Sequence, residues 1–142
     1  MEGLGGNFAA ALVASLASVV VAIGAFLPWL KVAFGGVERP LRGWDLGQDA
    51  RACLALALAG AVAGFVVGRR QGSALVLTCK LVLILTGVAI AGLALLQGPA
   101  MQVAVGLPGL SVRTGVGLVT VLAGALGHIG VGAVAPWRAA AE

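Results

Sequence analysis

Residues 27–47 read LPWLKVAFGGVERPLRGWDLG, the longest polar interruption in an otherwise apolar chain. One apolar run, residues 8–30, overlaps its start, and another, residues 52–68, follows it. Residues 29–34 carry strand-forming side chains, Gly35-Gly36 supplies a turn, and residues 41–44 lead back across it. Pro40 has no N–H to give, which suits a sheet edge or a position before pairing begins. A short β-hairpin between two long apolar segments is the reading from which the rest extends.

Composition decides what the apolar segments are. The 142 residues are 61% hydrophobic and 10% charged, with a mean hydropathy of +1.10. Five acids and nine bases cannot coat a soluble domain of that length. Runs over residues 8–30, 52–68, 74–96 and 114–135 each have a length suited to a bilayer. The first has no basic flank and is too long for a signal-peptide core, so it reads as a retained span. Pro28 then falls in its last turn, and Trp29 suits the aromatic belt at the lipid–water boundary.

The net charge of +4 and pI near 10.1 come without a basic stripe beyond Arg69-Arg70. Nucleic acid is therefore not an expected partner, and the bases read as orientation signals against anionic headgroups. Residues 69–73 form a tight polar turn, and Pro136-Trp137-Arg138 ends the fourth run with an interfacial anchor. The dense Arg69-Arg70 pair places the termini on the cytoplasmic side and the longer loops, residues 31–51 and 97–113, outside.

Those two loops share a register. Pro28 and Val32-Ala33-Phe34-Gly35 align with Pro99 and Val103-Ala104-Val105-Gly106, and Leu41-Arg42 aligns with Val112-Arg113. Gly106-Leu107-Pro108-Gly109 supplies a second turn. The fold expected is an all-α membrane protein forming one domain over residues 1–142. It is a four-transmembrane-helix bundle with two short β-hairpins on one membrane face, helix–hairpin–helix repeated. The hairpins would pair into a four-stranded sheet, each covering an edge of the other. Asp45 or Asp49 would cap the second helix.

Leu27-Pro28-Trp29, followed by Gly43-Trp44-Asp45-Leu46-Gly47, resembles a pattern in small four-span membrane proteins of actinobacteria, which have no established activity. The topology is also similar to that of claudin-like tetraspans. That likeness implies a loop-built sheet above a left-handed helix bundle. Claudins carry a paired-cysteine loop signature that these loops lack, so no junctional function is carried over. Seven Arg against two Lys, with abundant Ala, Gly and Val, fit a high-GC bacterial source and its plasma membrane.

Gly60, Gly64 and Gly68 recur every fourth residue, baring one helix face to a neighbour in the same chain or in another subunit. Thr120, Gly124, His128 and Gly132 make a similar stripe in the fourth run. Lys80 and His128 are ionisable groups inside spans, each roughly 10 Å from the same membrane face. Lys80 either snorkels to the headgroups beside a hydrogen-bonded neutral His128, or the two line a proton or anion path. Cys53 and Cys79 lie too far apart in depth for a disulfide and read as small apolar residues.

No Ser/His/Asp set, paired carboxylate or metal spacing can be assembled, and no metal or cofactor is expected. Two functional classes remain. One is a non-catalytic tetraspan that self-associates or serves as accessory subunit of a membrane complex, through its glycine faces and the loop bearing Trp29, Trp44 and Asp45. The other is a small oligomeric channel or carrier using Lys80 and His128.

Overall fold

The computed structural model describes residues 3–69, 74–104 and 109–134, with side chains over residues 8–69, 74–97 and 109–134. The turn at residues 70–73, residues 105–108 of the second loop, and Pro136-Trp137-Arg138 lie outside them. Four helices carry the fold: α1 Gly3–Phe26, α2 Gln48–Arg69, α3 Ala74–Ala104 and α4 Val116–Val134. Each contains a stretch long and apolar enough to cross a membrane. Three strands, β1 Pro28–Phe34, β2 Val37–Arg42 and β3 Leu110–Thr114, form a small sheet at one end.

The helices form a ring in which α1 lies between α2 and α4, and α3 closes the opposite side. On each helix one series of buried positions advances by alternating steps of three and four. They run Ala14, Ser18, Val21, Ala25 on α1, and Ala50, Cys53, Ala57, Gly60, Gly64, Val67 on α2. They continue as Lys80, Leu83, Gly87, Ile90, Ala94 on α3, and Leu118, Val121, Ala125, His128, Gly132 on α4. This is the 3.5-residue seam of left-handed helix packing. Small seam residues bring backbones close, which is how apolar helices associate when surface burial alone gives little preference. Leu12, Leu58, Leu85 and Leu126 stand on the outer surface, each more than half exposed.

Helix α1 ends at Phe26, not residue 30. The next-but-one residue is Pro28, whose ring excludes the α conformation from Leu27 and whose nitrogen offers no donor. The Leu27 N–H is the last to close on the helix, reaching the Ile23 and Gly24 carbonyls at 3.3 and 3.2 Å. Pro28 is therefore the first residue of β1.

Strands β1 and β2 form a hairpin across the expected turn, but its second arm is Val37–Arg42 and not residues 41–44, because the chain enters a 3-10 turn at Gly43. Phe34 pairs with Val37 across Gly35-Gly36, and both glycines have positive φ, 57° and 82°. That two-residue turn with two left-handed positions matches the twist of the strands it joins. Pro40 sits in β2, an edge strand, where a missing N–H costs no ladder bond if it faces outward.

Among the described residues the second hairpin lacks its outgoing arm. Helix α3 continues through Pro99 to Ala104, taking Val103-Ala104 with it, so the outgoing arm expected there is helical. Only the return arm is a strand, and β3 pairs antiparallel with the free edge of β1, in register from Leu30↔Thr114 to Phe34↔Leu110. Among the described residues the sheet has three strands, in the order β2-β1-β3, instead of the four expected.

Candidate functional site

The buried polar side chains among the described residues are Ser18, Lys80, Thr86 and His128. Thr86 donates to the Leu83 carbonyl in its own helix. His128 is fully buried, and its Nε2 lies 2.9 Å from the Ser18 hydroxyl on α1. Ser18 Oγ also lies 2.8 Å from the Ala57 carbonyl of α2 and 3.0 Å from the Ala14 carbonyl of its own helix. One hydroxyl proton serves these contacts. It donates to a carbonyl while Nε2–H donates to Oγ, so the ring is protonated on Nε2 and three helices are tied together. The other tautomer would leave an N–H at Nδ1, which has no partner among the described residues.

Gly60 makes the room for this ring. A Cβ there would stand 2.8 Å from His128 Nε2 and 3.1 Å from two ring carbons. The imidazole thus reaches across the bundle from α4 to α2. Gly64 meets Ala14 of α1, where an added Cβ would collide with the alanine methyl. Gly68 is half-buried and falls one position beyond the seam residue Val67. Gly124 packs on Ala17 and Val21 of α1, and Gly132 on Lys80 and Ile84 of α3.

Lys80 is only 4% exposed. Its carbonyl lies 2.9 Å from where a Cβ of Gly132 would stand. Lys80 therefore meets α4 one turn nearer the helix end than His128, whose ring turns to α1 and α2. The two share an end of the bundle, and the hydrogen bonds of His128 run to Ser18 and the Ala14 backbone on α1.

At the opposite end, Trp29 is completely buried, not an interfacial anchor. Its indole Nε1 donates to the Gly24 carbonyl at 2.9 Å. Glycines clear the space it occupies: a Cβ at Gly43 would strike the indole ring, and one at Gly117 would stand 2.8 Å from its Cδ1. Trp29 and Leu30 are both buried although they are neighbours in a strand, where alternation would put them on opposite faces. A register shift between Pro28 and Leu30 resolves this, because an extra residue in the ladder re-aims its side chain. The Gly115 N–H bonds the Trp29 carbonyl at 2.6 Å, so the start of α4 is held to the same residue.

Trp44 takes the half-exposed place instead. It lies in a short 3-10 turn, Gly43–Leu46, with its ring stacked on Phe26 at 5.3 Å and Arg51 5.1 Å from its centroid. Asp45 is in the same turn. Asp49 lies within the first turn of α2 and accepts a hydrogen bond from the Gln97 side chain of α3. It thereby joins α2 to α3 beneath the sheet.

Cys53 and Cys79 are free thiols. Cys79 borders an open apolar groove of about 500 Å³ between α2 and α3, floored by Ala55, Ala59 and Ala63 and flanked by Leu58 and Val62. Among the described residues no three His, Cys, Asp or Glu side chains come together as a metal site would need.

Nothing in the sequence singles out Ser18, and Gly43 stands out only as part of a loop motif, not as the space for Trp29. The signal for Ser18 was its place four residues after Ala14 on a seam that could be counted only once the helix partners were known. The architecture is a four-helix bundle with a sheet-capped end, each helix holding a stretch long and apolar enough to cross a membrane. Comparison of the chain with family models, curated proteins and solved structures finds no match.

Proposed function

We propose that this chain is a non-catalytic multi-pass protein of the plasma membrane, termini cytoplasmic, acting as a self-associating or accessory subunit of a membrane complex. The observation that carries this reading is the groove between α2 and α3. It is apolar, opens to the outside of the bundle, and has small residues every fourth position along its floor. Gly60 and Gly64 are occupied inside the chain by His128 and Ala14, so association uses other faces than theirs.

Purification in gentle detergent followed by native mass measurement tests the proposal. A mass of two or more copies, or a stoichiometric companion lost in an Ala59→Leu variant, supports it. A lone monomer whose behaviour is unchanged by Ala59→Leu removes it.

The carrier reading rests on Lys80 and His128 lying near one end of the bundle interior. It requires flux of protons or anions through reconstituted vesicles that falls in a Lys80→Met variant. The ring of His128, engaged by Ser18 and backed by Gly60, favours a structural part for that residue.

A further inference from the structure

The sheet has two chemically different faces. Directly opposed residues share a face, and one face carries three rows: Leu41, Leu30, Thr114; Arg39, Val32, Val112; and Val37, Phe34, Leu110. The other carries Pro40, Lys31, Arg113 and Glu38, Ala33, Ser111. Seven of the nine residues on the first face are apolar, whereas the second presents Lys31, Glu38 and Arg113.

The apolar face begins inside the bundle and runs out of it. Leu30 is 2% exposed, and Leu41 and Val112 pack against the core around Trp29. Two rows further on, Phe34 and Val37 are 62% and 60% exposed. On the charged face, Lys31 and Glu38 form an ion pair at 3.4 Å with both side chains about half exposed.

We infer that the outer part of this face, Phe34 and Val37 with Leu110 and Arg39, is a lipid-binding surface that lies on the leaflet surrounding the bundle. The inference rests on the four helices crossing a bilayer. Two observations select lipid as the occupant. The face is continuous with one already packed on the end of a bundle whose helices carry exposed apolar side chains. Its one charged member, Arg39, stands between Val37 and Leu41 on the same strand face, where its stem covers apolar surface and its guanidinium reaches phosphate headgroups. The arrangement is that of an interfacial amphipath built from a hairpin, with Lys31, Glu38 and Arg113 turned to water.

Tryptophan introduced singly at exposed positions reads this out in vesicles of brominated phosphatidylcholine with a fraction of phosphatidylglycerol, each emission taken as the difference from the parent. Phe34→Trp and Val37→Trp are quenched by shallow bromines and shielded from aqueous acrylamide, whereas Ser111→Trp on the charged face shows the reverse. Leu85→Trp, on the outer surface of α3, is quenched by deep bromines and reports the spanning bundle independently. Phe34→Trp and Val37→Trp blind to bromine and open to acrylamide would overturn the inference while Leu85→Trp still responds. Shielding of both from both quenchers would overturn it in favour of a protein partner.

Discussion

His128 on α4 and Ser18 on α1 meet with 2.9 Å between Nε2 and Oγ, at a point where α2 offers a carbonyl from Ala57 and an empty glycine face at Gly60. A polar contact so enclosed specifies how three helices register, because sliding any one of them by a turn breaks it.

Ser18→Ala removes the hydroxyl that accepts from Nε2–H and leaves the His128 ring only the Ala14 backbone. Buried unpaired groups cost about 1–3 kcal/mol in water-soluble proteins, and interhelical hydrogen bonds in membranes average about 0.6 kcal/mol. The variant is expected to lose on the order of 1 kcal/mol, read by unfolding in mixed micelles. A His128→Leu background should cancel most of the loss, and additivity of the two changes would contradict the bond.

Gly60→Ala places a methyl against the His128 ring. The expected cost is about 1–3 kcal/mol, the range for an overpacked core. Combining it with His128→Ala should recover part of the loss, because the smaller side chain vacates the space. Thermal denaturation of the two singles and the double measures this, and a double no better than additive argues against the packing.

Trp29 and Trp44 should respond oppositely. Trp29→Ala empties a fully buried site and should cost about 3–5 kcal/mol. Trp44→Ala, at a ring 40% exposed, should cost much less. Gly43→Ala should resemble Trp29→Ala because its methyl would enter the space of the indole. Chemical denaturation of each variant tests the ranking.

Gly35→Ala puts a Cβ on a residue with φ near 57° and should destabilise the hairpin by about 1 kcal/mol. Gly35→Asn, leaving Asn-Gly in the turn, should be tolerated. Amide exchange of Ala33 and Glu38 reports the difference.

The sequence discloses the helices because uninterrupted apolar runs of such length have few other uses, and it discloses the first hairpin because Gly35-Gly36 falls between strand-forming residues. Trp29 misleads because a tryptophan next to the end of an apolar run reads as a boundary marker. Its burial depends on a bulge in β1 and on Gly43 and Gly117, which are distant in sequence. The second loop misleads because Pro99 looks like a helix stop, yet α3 passes through it. Every-fourth counting also drifts from a 3.5-residue seam, which is why Gly60 and Gly64 lie on it and Gly68 does not.

Topology labelling with a membrane-impermeant thiol reagent tests the central claim that four helices cross a bilayer beneath one sheet. Exposed positions Val37 on β2 and Ser111 on β3, and Arg69 at the far end of α2, are replaced singly by cysteine. Val37→Cys and Ser111→Cys are expected to label from one side of sealed vesicles and Arg69→Cys from the other. Labelling of Val37→Cys and Ser111→Cys from opposite sides, or of all three from the same side, would contradict it.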